Sequence, residues 1–379
     1  MVAFSIFVLK RSSFFQKIAE AEVSERYEAL DGLRGFLAIG VFFQHAVQNF
    51  SFFQTGVWVI TDSRFYRFLG GEAVILFFIT TSFLYWTKLV LVKSHGENQM
   101  FRLYRSRLLR LAPLYLFSGL LVSIIALYNV DFSIISISGF FRDIFYWLTL
   151  GLHTIQSFNG TDIIPINAGI HWTLRYEWAF YLLLPLVAFL MKNSLGKIAS
   201  VLILIGIFSL PDRGYWAIFL FGILSAYIVS YYPSIPWFKK NNWSALVPLV
   251  GLFLVYSINY KPYSYVQYFI SMIVFLCFVY GNNLFGLLKT PFAKFLSTIS
   301  YSVYLLHGIV LYIVLNIVNK FYPVASLSPL QYWTVILFAG IIVIVVSALS
   351  YRFIEHRFIE KIKLGKKGSS PTPVIEKVI

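Results

Sequence analysis

Long apolar segments recur along the whole chain, and they restrict its fold more than any other feature of the sequence. The chain has 379 residues, of which 59% are hydrophobic and only 12% are charged, whereas an ordinary soluble domain carries about 25% charged residues. So few charges exclude a single water-soluble globule and a disordered chain. An apolar run of about 20 residues can cross a bilayer as a helix. The sequence therefore predicts an all-α integral membrane protein, a bundle of about ten transmembrane helices, with spans near 33–50, 72–93, 107–128, 173–191, 198–210, 214–232, 243–259, 264–281, 298–317 and 333–351.

The distribution of basic residues orients these predicted spans. When the spans are threaded in order, 23 of the 31 Lys and Arg residues fall on one side of the membrane and 6 on the other, with Arg34 and Arg175 set aside because they lie near the membrane. Cytoplasmic loops carry the excess of Lys and Arg in membrane proteins. Both termini are therefore predicted to be cytoplasmic, and the number of spans is predicted to be even.

The predicted spans divide the chain into three parts. Residues 1–28 form a predicted amphipathic segment on the cytoplasmic surface of the membrane, 29–358 form the transmembrane domain, and 359–379 form a basic cytoplasmic tail. The loop at 129–171 is the only long outer segment. Its apolar patch at 141–152 contains charged residues and is predicted to be an interfacial or re-entrant helix rather than an eleventh span.

Charge and cysteine content exclude several kinds of site. A net charge of +15 would suggest nucleic acid as the partner of a soluble protein, but here the basic residues lie between apolar runs, where membrane topology accounts for them. No nucleic-acid partner is therefore predicted. Cys277 is the single cysteine, so no disulfide can form within the chain. The sequence has no glycine-rich phosphate loop and no metal-ligand spacing, so we predict no metal and no permanently bound cofactor.

Two ionisable residues, Arg34 and His45, lie in the first predicted span. Such residues are costly in a membrane and mark functional sites by default. They are eleven residues apart, which at ~100° per residue is ~20° past three turns, so both lie on one helix face, ~16 Å apart along the axis. Taken separately, Arg34 could reach the cytoplasm and His45 could be structural. Together they suggest a donor such as acyl-CoA, with the arginine at its phosphates and the histidine as a base at its thioester.

Further polar residues near the membrane extend this hypothesis. Arg107 and Arg110 are three apart at the inner end of the third span, where either a phosphate partner or the ordinary basic flank of a span explains them. Glu177, in the fourth span, either forms an ion pair with Arg175 or another arginine, or it orients a histidine or binds a sugar hydroxyl. His307 lies in the middle of the ninth span, where a structural histidine is the alternative.

Five motifs, in order along the chain, resemble those of the membrane acyltransferase family 3, which includes bacterial O-acetyltransferases of surface polysaccharides. The resemblance covers about 25–358. The motifs are a Leu-Asp-Gly-Leu-Arg-Gly segment with Arg-x10-His, an Arg-x-x-Arg before Pro-x-Tyr, a Trp-Ser-Leu-x-x-Glu-x-x-Phe-Tyr, a Ser-Tyr-x-x-Tyr-Leu-x-His, and a closing Ile-Glu-Arg-Pro-Phe. Here they are Leu30 to Gly35 with His45; Arg107, Arg110, Pro113 and Tyr115; Trp172, Thr173, Leu174, Glu177, Phe180 and Tyr181; Ser300, Tyr301, Tyr304, Leu305 and His307; and Ile354 to Phe358. The chain departs from the family pattern at Ser82, where the family has glycine, and at Arg175 and Tyr176, where it has Ser-Val.

The resemblance implies an O-acyltransferase, and most simply an O-acetyltransferase, in a bacterial inner or plasma membrane. The donor substrate would be acetyl-CoA or another acyl-CoA from the cytoplasm, and the acceptor would be a hydroxyl of a lipid-linked or exported carbohydrate. The implied roles are catalysis for His45 and Glu177, acyl-CoA binding for Arg34, Arg107 and Arg110, and acceptor-binding or structural roles for His307, Arg175 and Tyr301. His45 would either activate the hydroxyl directly or carry the acyl group transiently.

Two other classes of function also fit a bundle of this kind. A secondary transporter or exporter of a small anion or glycan would also have about ten spans with buried charges, but the two-fold repeats and broken helices typical of transporters are not evident in the sequence. A non-catalytic membrane scaffold would leave Arg34 and His45 unexplained.

Overall fold

The computed structural model describes residues 11–16, 27–88, 97–129, 136–190, 213–240, 242–258 and 263–360, with four isolated positions between 191 and 212. The described chain is mostly helical. Its α-helices are α1 (Glu28–Thr55), α2 (Arg64–Trp86), α3 (Glu97–Asn129), α4 (Ile137–Leu148), α5 (Ile164–Asn167), α6 (His171–Leu190), α7 (Arg213–Tyr231), α8 (Pro236–Lys240), α9 (Leu246–Ile258), α10 (Tyr265–Val279), α11 (Pro291–Thr298), α12 (Ser300–Phe321) and α13 (Pro329–Ser350). A π-helical turn at Tyr351–Glu355 continues α13. Two short strands, β1 (Ser157–Phe158) and β2 (Thr161–Asp162), form one hairpin.

Six of the described helices are long and apolar enough to cross a membrane. They are α1, α2, α3 from Tyr104 onward, α7, α12, and α13 with its continuation to Glu360. The apolar helices at Asn242–Ile258 and Tyr265–Val279 are shorter. All of these, and α6, coincide with predicted spans, which supports a multi-pass helical membrane protein. Most of the predicted span at 198–210, and most of the predicted segments 1–28 and 359–379, lie outside the described residues, so the count of ten stays a prediction.

Contacts along the bundle give the relative directions of its central helices. Arg34 of α1 and Ser300 of α12 line the same cavity, and His45 contacts His307 further along both helices. The helices α1 and α12 therefore run in the same direction, as the ten-span prediction requires of its first and ninth spans. α2 runs in the opposite direction to α1, since Tyr27 contacts Phe83 at one end and Gly40 lies beside Leu69 further along.

The last long helix returns to the end of the bundle where α1 begins. Near the start of α13, the Tyr332 hydroxyl donates a hydrogen bond to the Ala46 carbonyl in the second half of α1. Beyond its end, the ring of His356 packs edge-to-face against Phe14. The first and last described segments therefore lie at the same end. The assignment of that end to the cytoplasm stays a prediction, carried by the charge asymmetry.

Two glycines in the Leu-Asp-Gly-Leu-Arg-Gly segment let α1 approach its neighbours closely. A Cβ atom on Gly32 would lie 1.9 Å from the Leu288 carbonyl oxygen, and one on Gly35 would lie 2.8 Å from the Leu296 carbonyl carbon. Both distances are too short for any other residue without a backbone shift. These glycines flank Arg34, so the contact that they permit fixes the part of α1 from which the arginine projects.

The long segment after α3 contains a short amphipathic helix and a hairpin. Ser136 caps α4 by accepting a hydrogen bond from the Gly139 N–H at 3.1 Å. One face of α4 is apolar and exposed, and consists of Ile137, Phe141, Phe145 and Leu148. The helix has only 12 residues, too few to cross a bilayer, which agrees with the predicted interfacial or re-entrant helix.

A buried carboxylate joins α4 to the hairpin. Asp143 accepts hydrogen bonds from the Asn159 backbone N–H at 2.7 Å and from the Arg142 Nε at 2.9 Å. The hydrogen bond that Arg142 donates to Asp143 raises the pKa of the exposed Arg142 guanidinium above its ordinary value. The Asn159-Gly160 turn has positive φ at both residues, which is the backbone that a two-residue hairpin loop requires.

Candidate functional site

A cavity of about 110 Å³ lies among α1, α2, α3, α6 and α12, and three arginines line it. They are Arg34 from α1 and Arg107 and Arg110 from α3. The structure thus brings together, from two helices, all three residues that the sequence predicts for donor binding. The remaining wall is mainly aromatic, aliphatic and hydroxyl-bearing, and includes Phe77, Thr81, Tyr85, Tyr181, Tyr301 and Tyr304.

The three arginines differ in how the protein holds them. The Arg107 guanidinium lies over the ring of Tyr85 at 4.5 Å and near that of Tyr181 at 5.9 Å, as cation–π contacts require. Arg110 has no ion pair within 4 Å and no hydrogen bond to any residue that the structure describes. Its charge is therefore available to a ligand, whereas Arg107 also contributes to packing.

Glu177 lies in the same cavity as the arginines. Its carboxylate accepts hydrogen bonds from the Thr81 hydroxyl and the Tyr181 hydroxyl, both at 3.4 Å. Arg107 and Arg34 act on it electrostatically, and neither forms an ion pair with it within 4 Å. No hydrogen bond in the described part of the chain joins Glu177 to His45. The carboxylate therefore belongs to the arginine cavity, and its predicted catalytic role beside His45 stays a prediction.

A second carboxylate, Glu355, lies within electrostatic range of Arg110 and Arg34. It is buried in the π-helical turn that follows α13, and it accepts a hydrogen bond from the Ser302 hydroxyl of α12. Glu355 belongs to the closing motif of the sequence but was not among the predicted site residues. The sequence signal for this position was an acidic residue at the end of an apolar run. A carboxylate buried there requires a hydrogen-bond donor or a cation.

The two mid-span histidines are directly hydrogen-bonded to each other. The His45 Nδ1 lies 2.7 Å from the His307 Nε2, although the residues are 262 positions apart. The ring planes are within 5° of each other and the centroids are 5.0 Å apart. This separation equals the nitrogen–nitrogen distance plus the two ring radii, so the rings lie end to end in one plane, which is the geometry of a strong imidazole hydrogen bond.

The wall around this pair is mostly apolar. Phe42 is completely buried, and its ring lies 6.5 Å from that of His307. Ala46, the residue after His45, is also completely buried. His307 has no exposed surface, whereas His45 is partly exposed. In the described residues no carboxylate contacts either ring. A polar pair in such a wall is typical of a functional site in a membrane.

Tyr304 connects the arginine cavity with the histidine pair. It lines the cavity, and its ring centroid lies 6.2 Å from that of His307, one helical turn further along α12. Its hydroxyl pairs with the Thr173 hydroxyl at 2.7 Å and donates to the Ile170 carbonyl at 3.2 Å. The Tyr304 edge of the cavity therefore lies about one turn of α12 from the histidine pair.

The remaining predicted site residues fall in different places. Tyr301 lines the cavity and donates a hydrogen bond to the Leu111 carbonyl at 2.8 Å. Arg175 is exposed and does not line the cavity. His307, predicted as acceptor-binding or structural, is the direct partner of His45. Across the described residues, no group of three His, Cys, Asp or Glu side chains is arranged to hold a metal ion.

Comparison with known families adds the reaction class. The family described as the acyltransferase domain, acyltransferase family 3, matches residues 27–352, which include every residue that lines the cavity and both histidines. The chain belongs to this family. This confirms the resemblance carried by the five motifs, and it assigns acyl transfer rather than transport or a scaffold role to the bundle. No curated protein and no solved structure matches the chain significantly.

Proposed function

We propose that this acyltransferase family 3 protein moves an acetyl or other short acyl group from cytoplasmic acyl-CoA to a hydroxyl of a lipid-linked or exported carbohydrate. The observation that carries the proposal is the pairing of an arginine-lined cavity with a coplanar histidine pair one turn of α12 away. An acyltransferase that uses coenzyme A needs cations for the phosphates and a base at the thioester.

In this proposal the arginine cavity holds the charged end of the donor. Arginine binds phosphate oxygens with paired N–H donors, and such charge-assisted hydrogen bonds are short and strong. Arg34 and His45 are eleven residues apart on α1, or ~16 Å along the axis. An extended pantetheine arm held at Arg34 would therefore bring its thioester to the level of the histidines.

His45 would act as the general base for the transfer. Its imidazole nitrogen takes the proton of the acceptor hydroxyl while the hydroxyl oxygen attacks the thioester carbonyl carbon. The carbon–sulfur bond then breaks, and the departing thiolate takes that proton back from the imidazole. The products are the acyl ester and free coenzyme A, and His45 returns to its starting state.

Acyl-CoA-dependent release of thiol tests this proposal. Purified protein in nanodiscs would be incubated with radiolabelled acetyl-CoA and with lipid-linked oligosaccharide as acceptor, and both free thiol and labelled oligosaccharide would be measured. We expect both products from the unmodified protein. Label found on the protein when the acceptor is left out would instead favour an acyl-histidine intermediate.

His45→Ala and His153→Ala form a matched pair for the catalytic assignment. His153 is an exposed histidine that stacks on Tyr146 at 4.9 Å. We expect the first variant to lose transfer and the second to keep it, with both proteins equally abundant in the membrane. Transfer at the unmodified rate by His45→Ala would remove His45 from the mechanism. Absence of thiol release by the unmodified protein with any carbohydrate acceptor would contradict the proposed function.

A further inference from the structure

We propose that His307 is a positioning residue that keeps His45 in the tautomer with its free lone pair on Nε2. The role of that lone pair as a base rests on the proposed function, but the tautomer itself follows from the hydrogen bonds of the two rings. The chain of bonds begins at a backbone carbonyl of α12 and ends at His45.

The first bond fixes the hydrogen on His307. The His307 Nδ1 lies 3.0 Å from the Val303 carbonyl oxygen, and a carbonyl oxygen can only accept. The Nδ1 must therefore carry the hydrogen. A neutral imidazole has one N–H, so the Nε2 of His307 presents a lone pair.

The second bond transfers this constraint to His45. The lone pair on the His307 Nε2 faces the His45 Nδ1 at 2.7 Å, with the two rings nearly coplanar. Two lone pairs cannot face each other at that distance, so the hydrogen between the rings belongs to the His45 Nδ1. The Nε2 of neutral His45 then carries the lone pair that a base needs.

The surroundings leave that nitrogen available. His45 is partly exposed, and its Nε2 has no hydrogen-bond partner among the described residues. A cationic His307 would reverse the hydrogen bond between the rings, but no carboxylate in the described part of the chain contacts the pair to hold such a charge. The neutral arrangement is therefore the one that the contacts support.

The backbone at His307 is itself held in place. A Cβ atom on the next residue, Gly308, would lie 2.5 Å from the Asn167 carbonyl carbon, so α12 packs directly on the backbone at the end of α5. The Tyr332 hydroxyl binds the Ala46 carbonyl beside His45, and the Asn49 side chain donates to the His45 carbonyl at 2.9 Å. Rigid support of this kind is what orienting a base requires.

Two substitutions of His307 separate positioning from packing. The side-chain oxygen of glutamine in His307→Gln can accept a hydrogen bond near the position of Nε2, whereas His307→Leu fills the space and accepts nothing. General-base catalysis contributes about 10²–10⁴-fold to a rate. We expect kcat to fall by about that factor in His307→Leu, with KM for acetyl-CoA unchanged, and to be at least about tenfold higher in His307→Gln than in His307→Leu. Equal kcat in the two variants, or an unchanged kcat in His307→Leu, would overturn the inference.

The ¹⁵N NMR spectrum of labelled histidines determines the tautomer of His45 without an activity assay. The protein would carry ¹⁵N-histidine in nanodiscs, and the His45 signals would be assigned by their loss in His45→Gln. We expect a protonated Nδ1 and an unprotonated Nε2 for His45 in the unmodified protein, and loss of that pattern in His307→Leu. A protonated Nε2 in the unmodified protein overturns the inference even if His307→Leu does not fold. If the unmodified protein shows the expected protonation of His45 but transfers no acyl group, the positioning role of His307 is upheld and the proposed function is rejected.

Discussion

Replacement of Arg110 by alanine tests whether the cavity binds the phosphates of a donor. Arg110 lines the cavity and has no ion pair within 4 Å and no hydrogen bond within the described structure, so its removal breaks no direct contact, and the buried Glu355 keeps its hydrogen bond from Ser302 and its second nearby cation, Arg34. A hydrogen bond to a charged group is worth about 1.5–3 kcal/mol, or roughly 10- to 150-fold in Kd. We expect a loss of that size in acetyl-CoA affinity for Arg110→Ala, with little change in thermal stability.

Arg105→Ala is the matched control, because Arg105 lies on the same helix but is exposed and outside the cavity. Isothermal titration calorimetry in nanodiscs would compare acetyl-CoA with acetyl-pantetheine, which lacks the phosphates. Arg110→Ala should bind acetyl-pantetheine with the same affinity as the unmodified protein. Acetyl-pantetheine has no phosphate, so neither protein forms the Arg110–phosphate contact with it. The phosphate assignment would be refuted if Arg105→Ala and Arg110→Ala lost acetyl-CoA affinity equally, or if Arg110→Ala lost affinity equally for acetyl-CoA and acetyl-pantetheine.

Three further predictions concern topology, packing and the link between the two parts of the site. Reporter fusions after residues 155 and 325 should report the outside and fusions after 240 and 370 the inside, and one clear inversion would defeat the ten-span topology. Gly308→Ala should lower stability by about 1–3 kcal/mol and reduce turnover, because its Cβ would lie 2.5 Å from the Asn167 carbonyl carbon; Gly71→Ala, whose Cβ would meet nothing within 4 Å, should leave the denaturation midpoint unchanged or slightly higher. Tyr304→Phe removes the hydroxyl that bonds Thr173 at 2.7 Å and should cost about 0.5–1.5 kcal/mol of stability while acetyl-CoA affinity is kept; a loss of donor affinity as large as that of Arg110→Ala would place Tyr304 in the phosphate site instead.

The sequence predicts the helices well because their signal is local. Each apolar run is long relative to a soluble helix, and the resulting helices fall where the runs are. The face shared by Arg34 and His45 is equally local, because it depends only on helical periodicity. Both side chains do face α12, where Arg34 shares a cavity with Ser300 and His45 binds His307.

Sequence periodicity could not predict the contacts between helices that are distant in sequence. The bond between His45 and His307 depends on α1 and α12 lying side by side in the same direction, and nothing within either span specifies its neighbour. The sequence could likewise not show that Thr81, on another helix, donates a hydrogen bond to Glu177, whose catalytic role stays a prediction. The hairpin in the segment that follows α3 was missed, although the Asn159-Gly160 pair is its usual signal.

The parallel course of α1 and α12 has a consequence for how one bundle can serve two substrates. Both helices carry a charged or polar residue that lines the arginine cavity and a histidine further along. The same two rigid helices therefore join the arginine cavity to the histidine pair. We infer that the charged end of the donor and the acceptor hydroxyl approach from opposite ends. The three arginines and Glu355 lie at the end where the described chain begins and finishes, whereas α4 and the hairpin follow the other end of α3. On this arrangement the phosphates of the donor stay beside the arginines, its pantetheine arm spans the ~16 Å along α1 to the histidines, and neither polar substrate crosses the apolar part of the bundle.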